Sequence, residues 1–188
     1  QAELGPEMFT FAAADSYRLS VSSMSLERGP ETQISVIIPA RALQELRRIS
    51  SEGTVVEVRI SPNRNQVFFH LDSVDLVSQL VEGAFPDYKQ IIPRSHNTRT
   101  VVSTGEFLKA VRIAAIFARD AANICQLHVA PNGSAGYGRL IVSATSAEHG
   151  DNVSELDANI EGPPIDIAFN ARYLQEALSI IDTAEVAL

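Results

Sequence analysis

Tryptophan is absent from this 188-residue chain, cysteine occurs once and methionine twice. The single thiol, Cys125, closes no disulfide within the chain, and its neighbours Ile124 and Leu127 mark it as a buried structural residue rather than a reactive one. No apolar run approaches the ~18 residues that a membrane-crossing helix needs. The first residues carry neither a basic stretch nor the apolar core of a secretion signal, so the expected compartment is the cytoplasm. Positive charge is also in deficit: 15 Lys and Arg face 23 Asp and Glu, for a net charge of −8. With 45% hydrophobic and 20% charged residues, the remaining composition is that of a soluble globular protein large enough to bury a core.

Catalytic and metal-binding patterns are missing as well. His70, His96, His128 and His149 lie far apart, with no H-E-x-x-H and no Cys/His pairing, so neither a metal nor a cofactor is expected. His70, inside Phe68-Phe69-His70-Leu71, reads as a strand residue, and His96 and His149 fall in polar loops. The glycine-rich stretch 133–138 joins two expected strands with no helix after it, which makes it a hairpin loop rather than a phosphate cradle. Asn132-Gly133-Ser134 and Asn152-Val153-Ser154 fit the glycosylation pattern only by chance in a chain without a secretion signal. With no enzyme signature, the chain is expected not to be an enzyme. A hydrolase or transferase with a dispersed Ser, His and Asp set stands as the rival from another class.

What the chain does contain is a repeat. Ala40-Arg41-x-Leu43-Gln44-Glu45 returns as Ala171-Arg172-x-Leu174-Gln175-Glu176, 131 residues later. A weaker echo sets Arg18-Leu19-Ser20-Val21-Ser22 against Arg139-Leu140-Ile141-Val142-Ser143 at an offset of 121, a difference that a loop insertion would explain. A repeat of that length is a domain, and 188 residues hold roughly one and a half copies of it. Gln1 at the start, and Glu185-Val186-Ala187-Leu188 reading as an interrupted strand at the end, lead to the expectation of a fragment.

Apolar spacing predicts three amphipathic helices, each burying one side. Residues 40–49 present Leu43, Leu46 and Ile49; 104–119 present Phe107, Leu108, Val111, Ala114 and Ala115; 171–181 present Leu174, Ala177, Leu178 and Ile181. Pro39, Ser103 or Thr104, and Asn170 supply start signals. Strands are expected over 8–14, 17–24, 34–39, 55–60, 67–71, 74–81, 124–130, 140–144, 153–160 and 165–169, with turns at 62–65, 72–73 and 131–133. Antiparallel meanders interrupted by helices indicate an α+β fold of repeated strand-and-helix units, with helices on one face of the sheets. Prolines 86 and 93 bound an irregular stretch that places a domain boundary near residue 94. The helices, counted with Asp120 just after the second, hold seven basic and four acidic residues, a balance of +3 that leaves −11 for the rest of the chain. Solvation of outer helix faces is the plain explanation.

Two further segments carry a resemblance. Ala14-Asp15-Ser16-Tyr17-Arg18-Leu19 follows an apolar strand, and Leu80-Val81-Glu82-Gly83-Ala84-Phe85-Pro86-Asp87-Tyr88 leads into Ile91-Ile92-Pro93. Together with the repeat they resemble the bacterial sliding clamp, the beta subunit of the replicative DNA polymerase, nearly end to end. The resemblance implies a DNA-clamp-like fold, with residues 1–94 as the later part of the middle domain and 95–188 as most of the third, its final strands missing. It implies a homodimeric ring in the full-length protein that encircles duplex DNA without reading sequence. The replicative polymerase, clamp loader and repair proteins would dock through short peptide motifs. On that basis Arg41, Arg47, Arg48, Lys109, Arg112 and Arg172 are candidates for the wall facing DNA.

The resemblance also implies a partner-peptide pocket of Ala14, Ser16, Tyr17, Arg18, Leu19, Pro86, Gln90 and Ile91, an apolar groove with one aromatic ring and one Arg. Ser16 stands where the family usually has Gly, so a positive φ there would strain it. Gln90 stands where a basic residue is common. Without the resemblance, Leu19, Pro86 and Ile91 read as packing at a domain junction. The alternative function is a peptide-binding scaffold of repeated domains that never meets DNA.

Overall fold

The structure, a computed structural model, describes residues 1–133 and 136–188. It forms two compact units, Gln1–Pro93 and Arg94–Leu188. No helix among the described residues is long and apolar enough to cross a membrane.

In the first unit, β1 (Ala2–Leu4), β2 (Met8–Ala14), β3 (Leu19–Ser25) and β4 (Ile34–Val36) make an antiparallel sheet in the order β3-β2-β1-β4. Helix α1 (Ala40–Ile49) follows, then a meander of β5 (Glu57–Ile60), β6 (Gln66–Leu71) and β7 (Val74–Gln79). Alternation decides the faces: Val67, Phe69 and Leu71 of β6 point inward, joining Ala2, Leu4, Phe9, Val36, Ile38 and Ala42 in one core. A 3-10 turn, Tyr88–Gln90, closes the unit.

In the second unit, β8 (Arg99–Ser103) leads into α2 (Thr104–Ala118). There follow β9 (Ile124–Pro131), β10 (Gly136–Ser146), β11 (Gly150–Glu161) and β12 (Ile165–Asn170), then α3 (Ala171–Leu178) and β13 (Glu185–Ala187). All six strands lie in one antiparallel sheet, β12-β9-β10-β11-β8-β13. α2 buries Phe107, Val111 and Ala114 against Leu127, Leu140 and Val142 of the sheet. Antiparallel sheets with three helices make the fold α+β, as the strand and helix periods predict.

The repeated A-R-x-L-Q-E block opens α1 in one unit and α3 in the other, so it marks equivalent elements. The weaker echo does not. The order β3-β2-β1-β4 before α1 corresponds to β11-β10-β9-β12 before α3, whereas the echo matches β3 with β10. One is a sheet edge and the other lies between two neighbours; similar apolar alternation in non-equivalent strands produces that match, and no inserted loop is needed.

Other expectations need correction. β1 and β8 were not among the expected strands: β1 is only three residues long without a β-branched side chain, and β8 adjoins the irregular linker. Ile49 and Ala177 are exposed although periodicity put them on buried faces: α1 meets its core through Ala42, Leu43 and Leu46, and α3 through Ala171, Leu174 and Leu178. α2 stops at Ala118, where Ala122 and Asn123 adopt φ of 54° and 58° and the Asn123 amide donates to the Ala118 carbonyl. α3 ends at Leu178, and tighter backbone bonds from Ile180 and Ile181 close the turn beyond it.

Cys125 is fully buried, and desolvation raises its thiol above the usual range. Ser134 and Ala135 of the glycine-rich stretch, and with them the first glycosylation pattern, lie outside the described residues. The second pattern falls inside β11, where Asn152 is partly buried.

Candidate functional site

The hairpin between β2 and β3 is built by Asp15. Its Oδ1 accepts the amides of Tyr17 at 2.9 Å and Arg18 at 3.0 Å, and its Oδ2 takes the Arg18 Nε at 2.9 Å. Backbone donation from Tyr17, then the Arg18 side chain, holds this carboxyl below its ordinary value of 3.8. Ser16 does not have a positive φ, so serine in place of the family's usual glycine carries no backbone strain there. Tyr17 is displayed at the tip, 81% exposed.

Residue pairing tells which side of the sheet this hairpin serves. Ala14 faces Leu19, Thr10 faces Ser23 and Glu3 faces Thr10, so these side chains share one side. That is the side away from the core, because Ala2, Leu4 and Phe9 take the other.

The 3-10 turn comes to the same side. Tyr88 is 4% exposed yet belongs to neither core cluster; its hydroxyl donates to Glu3 Oε1 at 3.4 Å, and Lys89 Nζ meets Glu3 Oε2 at 2.9 Å. Asp87 caps the turn, accepting the Lys89 amide at 3.2 Å with Oδ1 and the Gln90 Nε2 at 2.7 Å with Oδ2. Phe85 meets the Tyr88 ring edge to face at 6.2 Å between centroids. Pro86, Gln90 and Ile91 are left exposed beside these anchors, Ile91 at 68%.

Pairing therefore brings Ala14 and Leu19 together, and the turn groups Pro86, Gln90 and Ile91 on the same unit. A groove of about 480 Å³ touches Val36, Arg64, Val81 and Phe85, and a shallow one of about 1010 Å³ on the second unit includes Tyr137, Arg139 and Asp157; neither contains any of the eight expected pocket residues. Asp87, Tyr88, Lys89 and Glu3 were missed by sequence reasoning. Asp87 had a local signal as a turn cap. Glu3, 86 residues from Lys89, had none.

The basic residues sit on helix sides turned from the cores. Arg41, Arg47 and Arg48 are exposed on α1 opposite Ala42 and the half-buried Leu43 and Leu46. Lys109 and Arg112 are exposed on α2 opposite Phe107, Val111 and Ala114. Arg48 pairs with Glu45 at 2.8 Å and Arg172 with Glu176 at 3.1 Å, which trims their effective charge. Arg41, Arg47, Lys109 and Arg112 form no ion pair with a described residue.

Two of the four histidines pair with carboxylates at the surface. His70 Nδ1 lies 2.7 Å from Asp75 across β6 and β7, and His128 Nδ1 2.6 Å from Asp166 across β9 and β12. Asp120, Glu148 and His149 gather ligand atoms within 4.8 Å of one another, a grouping that sequence spacing hid, but all three are exposed and nothing else around them points to an ion.

Residues 1–87 match the central domain of the DNA polymerase III beta subunit and residues 89–188 its C-terminal domain. The chain belongs to the DNA polymerase III beta subunit family. The beta sliding clamp of Staphylococcus aureus is 36% identical over 176 residues, which is 93% of this chain and 45% of that one. That of Staphylococcus epidermidis is 35% identical over the same length. The chain thus spans about half the length of these family members. Among solved structures, the DNA polymerase sliding clamp of Bacillus subtilis superposes with a TM-score of 0.88 at 29% identity, covering 99% of this chain and 48% of that one. The Pseudomonas aeruginosa clamp reaches 0.88 at 23% identity, over 99% and 50% respectively, a likeness of fold.

Proposed function

We propose that the intact protein is a non-catalytic sliding clamp, a processivity factor whose homodimeric ring encircles duplex DNA and tethers the replicative polymerase. In this reading residues 1–94 are the later part of the middle domain and 95–188 most of the third. The observation that carries it is the placing of cations: Arg41, Arg47, Lys109 and Arg112 are exposed on helix sides away from the cores and bound to no described carboxylate, in a chain that is otherwise strongly acidic. A ring that moves along DNA needs diffuse attraction to phosphates and no base contacts, because each fixed contact would be a barrier to sliding. Arg48 and Arg172, each held by a glutamate, contribute less.

The partners reach the protein through short peptides seated between the Asp15 turn and the 3-10 turn. Leu19, Pro86 and Ile91 offer apolar contacts, Ala14 and Ser16 leave room, and Tyr17, Arg18 and Gln90 supply polar edges.

The test is retention of the intact protein on circular duplex DNA across a salt series. Arg41→Glu with Arg47→Glu should lower affinity and flatten the slope of log affinity against log salt by roughly two, one for each phosphate that is no longer neutralised. A slope that both charge reversals leave unchanged favours the scaffold that never meets DNA.

A further inference from the structure

Three residues of 3-10 helix have little stability of their own, so the place of Gln90 and Ile91 is set by what ties that turn down. Within the turn, Asp87 organises the backbone. From outside it, one carboxylate ties it to the sheet: Glu3 spends both oxygens on it, one on the Tyr88 hydroxyl and one on the Lys89 ammonium. Glu3 is itself well covered, with a side chain 14% exposed, and the strand that carries it is bonded on both sides by β2 and β4. A carboxylate held on an inner strand of the sheet is a rigid anchor. Lys89 Nζ also stands 5.7 Å from the Tyr88 ring centroid, so ammonium, ring and carboxylate brace one another.

We propose that Glu3 is a positioning residue for the peptide pocket: by fastening Tyr88 and Lys89 to the outer side of the first sheet, it fixes where Gln90 and Ile91 meet an incoming apolar peptide. The inference rests on the peptide-pocket reading above. Glu3 touches no ligand. Its contribution is to spare the peptide the cost of ordering the turn, so its loss lowers affinity while the apolar surface offered to the peptide stays the same.

The experiment measures binding of a fluorescein-labelled hexapeptide carrying a Leu-Phe pair to the intact protein, with Leu19→Asp as a variant of the pocket itself. Glu3→Gln should weaken binding roughly tenfold, the scale of a lost charge-assisted hydrogen bond. Lys89→Met, at a side chain 61% exposed and therefore safe for folding, should weaken it in the same direction. The double variant should be little worse than either alone, because both remove one device. Amide exchange should quicken over residues 89–91 while the amides of β1 and β2 stay protected, a change that a general loss of stability would not confine to the turn. If Leu19→Asp abolishes binding while Glu3→Gln and Lys89→Met bind like the parent, Glu3 does not position the pocket. If Leu19→Asp also leaves binding intact, the pocket reading itself fails and the inference goes with it.

Discussion

Asp15 and Glu3 are both carboxylates, but they act over different ranges. Asp15 works within its own hairpin, and its depressed pKa means that the turn is stabilised above the ordinary carboxyl value of 3.8 and loses that support as pH falls through the lower folded value. An NMR titration of the Asp15 carboxyl should give a midpoint below 3.8, and Asp15→Asn should remove the acid-side loss of hairpin order. Lys89 runs the other way. Its bond to Glu3, first, and the charge of Glu3 raise it above 10.5, so that pairing is complete below 10.5 and is lost as pH rises through the raised value. Peptide affinity should then hold steady through neutral pH and fall in strongly alkaline solution. Asp15 was legible in principle, though no turn was expected there, because its partners are two and three residues away. Glu3 was not, since no local period relates positions 86 residues apart.

At the scale of elements, α1 and α3 carry the same repeated block but begin differently. Asn170 accepts the amides of Arg172 at 3.0 Å and Tyr173 at 3.3 Å, whereas Pro39 offers α1 no side-chain cap. Asn170→Ala should therefore cost about 1 kcal/mol of second-unit stability in urea unfolding. Pro39→Ala loses no cap bond and should cost less. Helix existence and starting points followed from the 3.6-residue period and the capping residues. Which apolar residues end up covered did not: Ile49 has the right phase, yet at the end of α1 it stays 36% exposed.

Across the whole molecule, two separate cores stand behind the two units. Phe107 is completely buried in the second, and Phe107→Ala should cost about 3–5 kcal/mol there. Hydrogen exchange should show the loss over β9 and β10, with β2 and β6 keeping their protection. Equal loss in both units would mean that they unfold as one. The distribution of charge belongs to this scale too, since an acidic chain attracts duplex DNA only where its cations are collected and free of carboxylates.

Residue order was enough to give the helices, most of the strands, the buried thiol and, through the repeat and the two family-like segments, the family. All of these are written in local period, local capping or a contiguous motif. Tertiary structure alone decided the order of strands in each sheet, which of the two echoes joined equivalent elements, and the pairing of Glu3 with Tyr88 and Lys89. Strand order and long-range ion pairs depend on where the chain returns after many residues, and that return is set by the joint packing of all apolar faces rather than by any short stretch of residues.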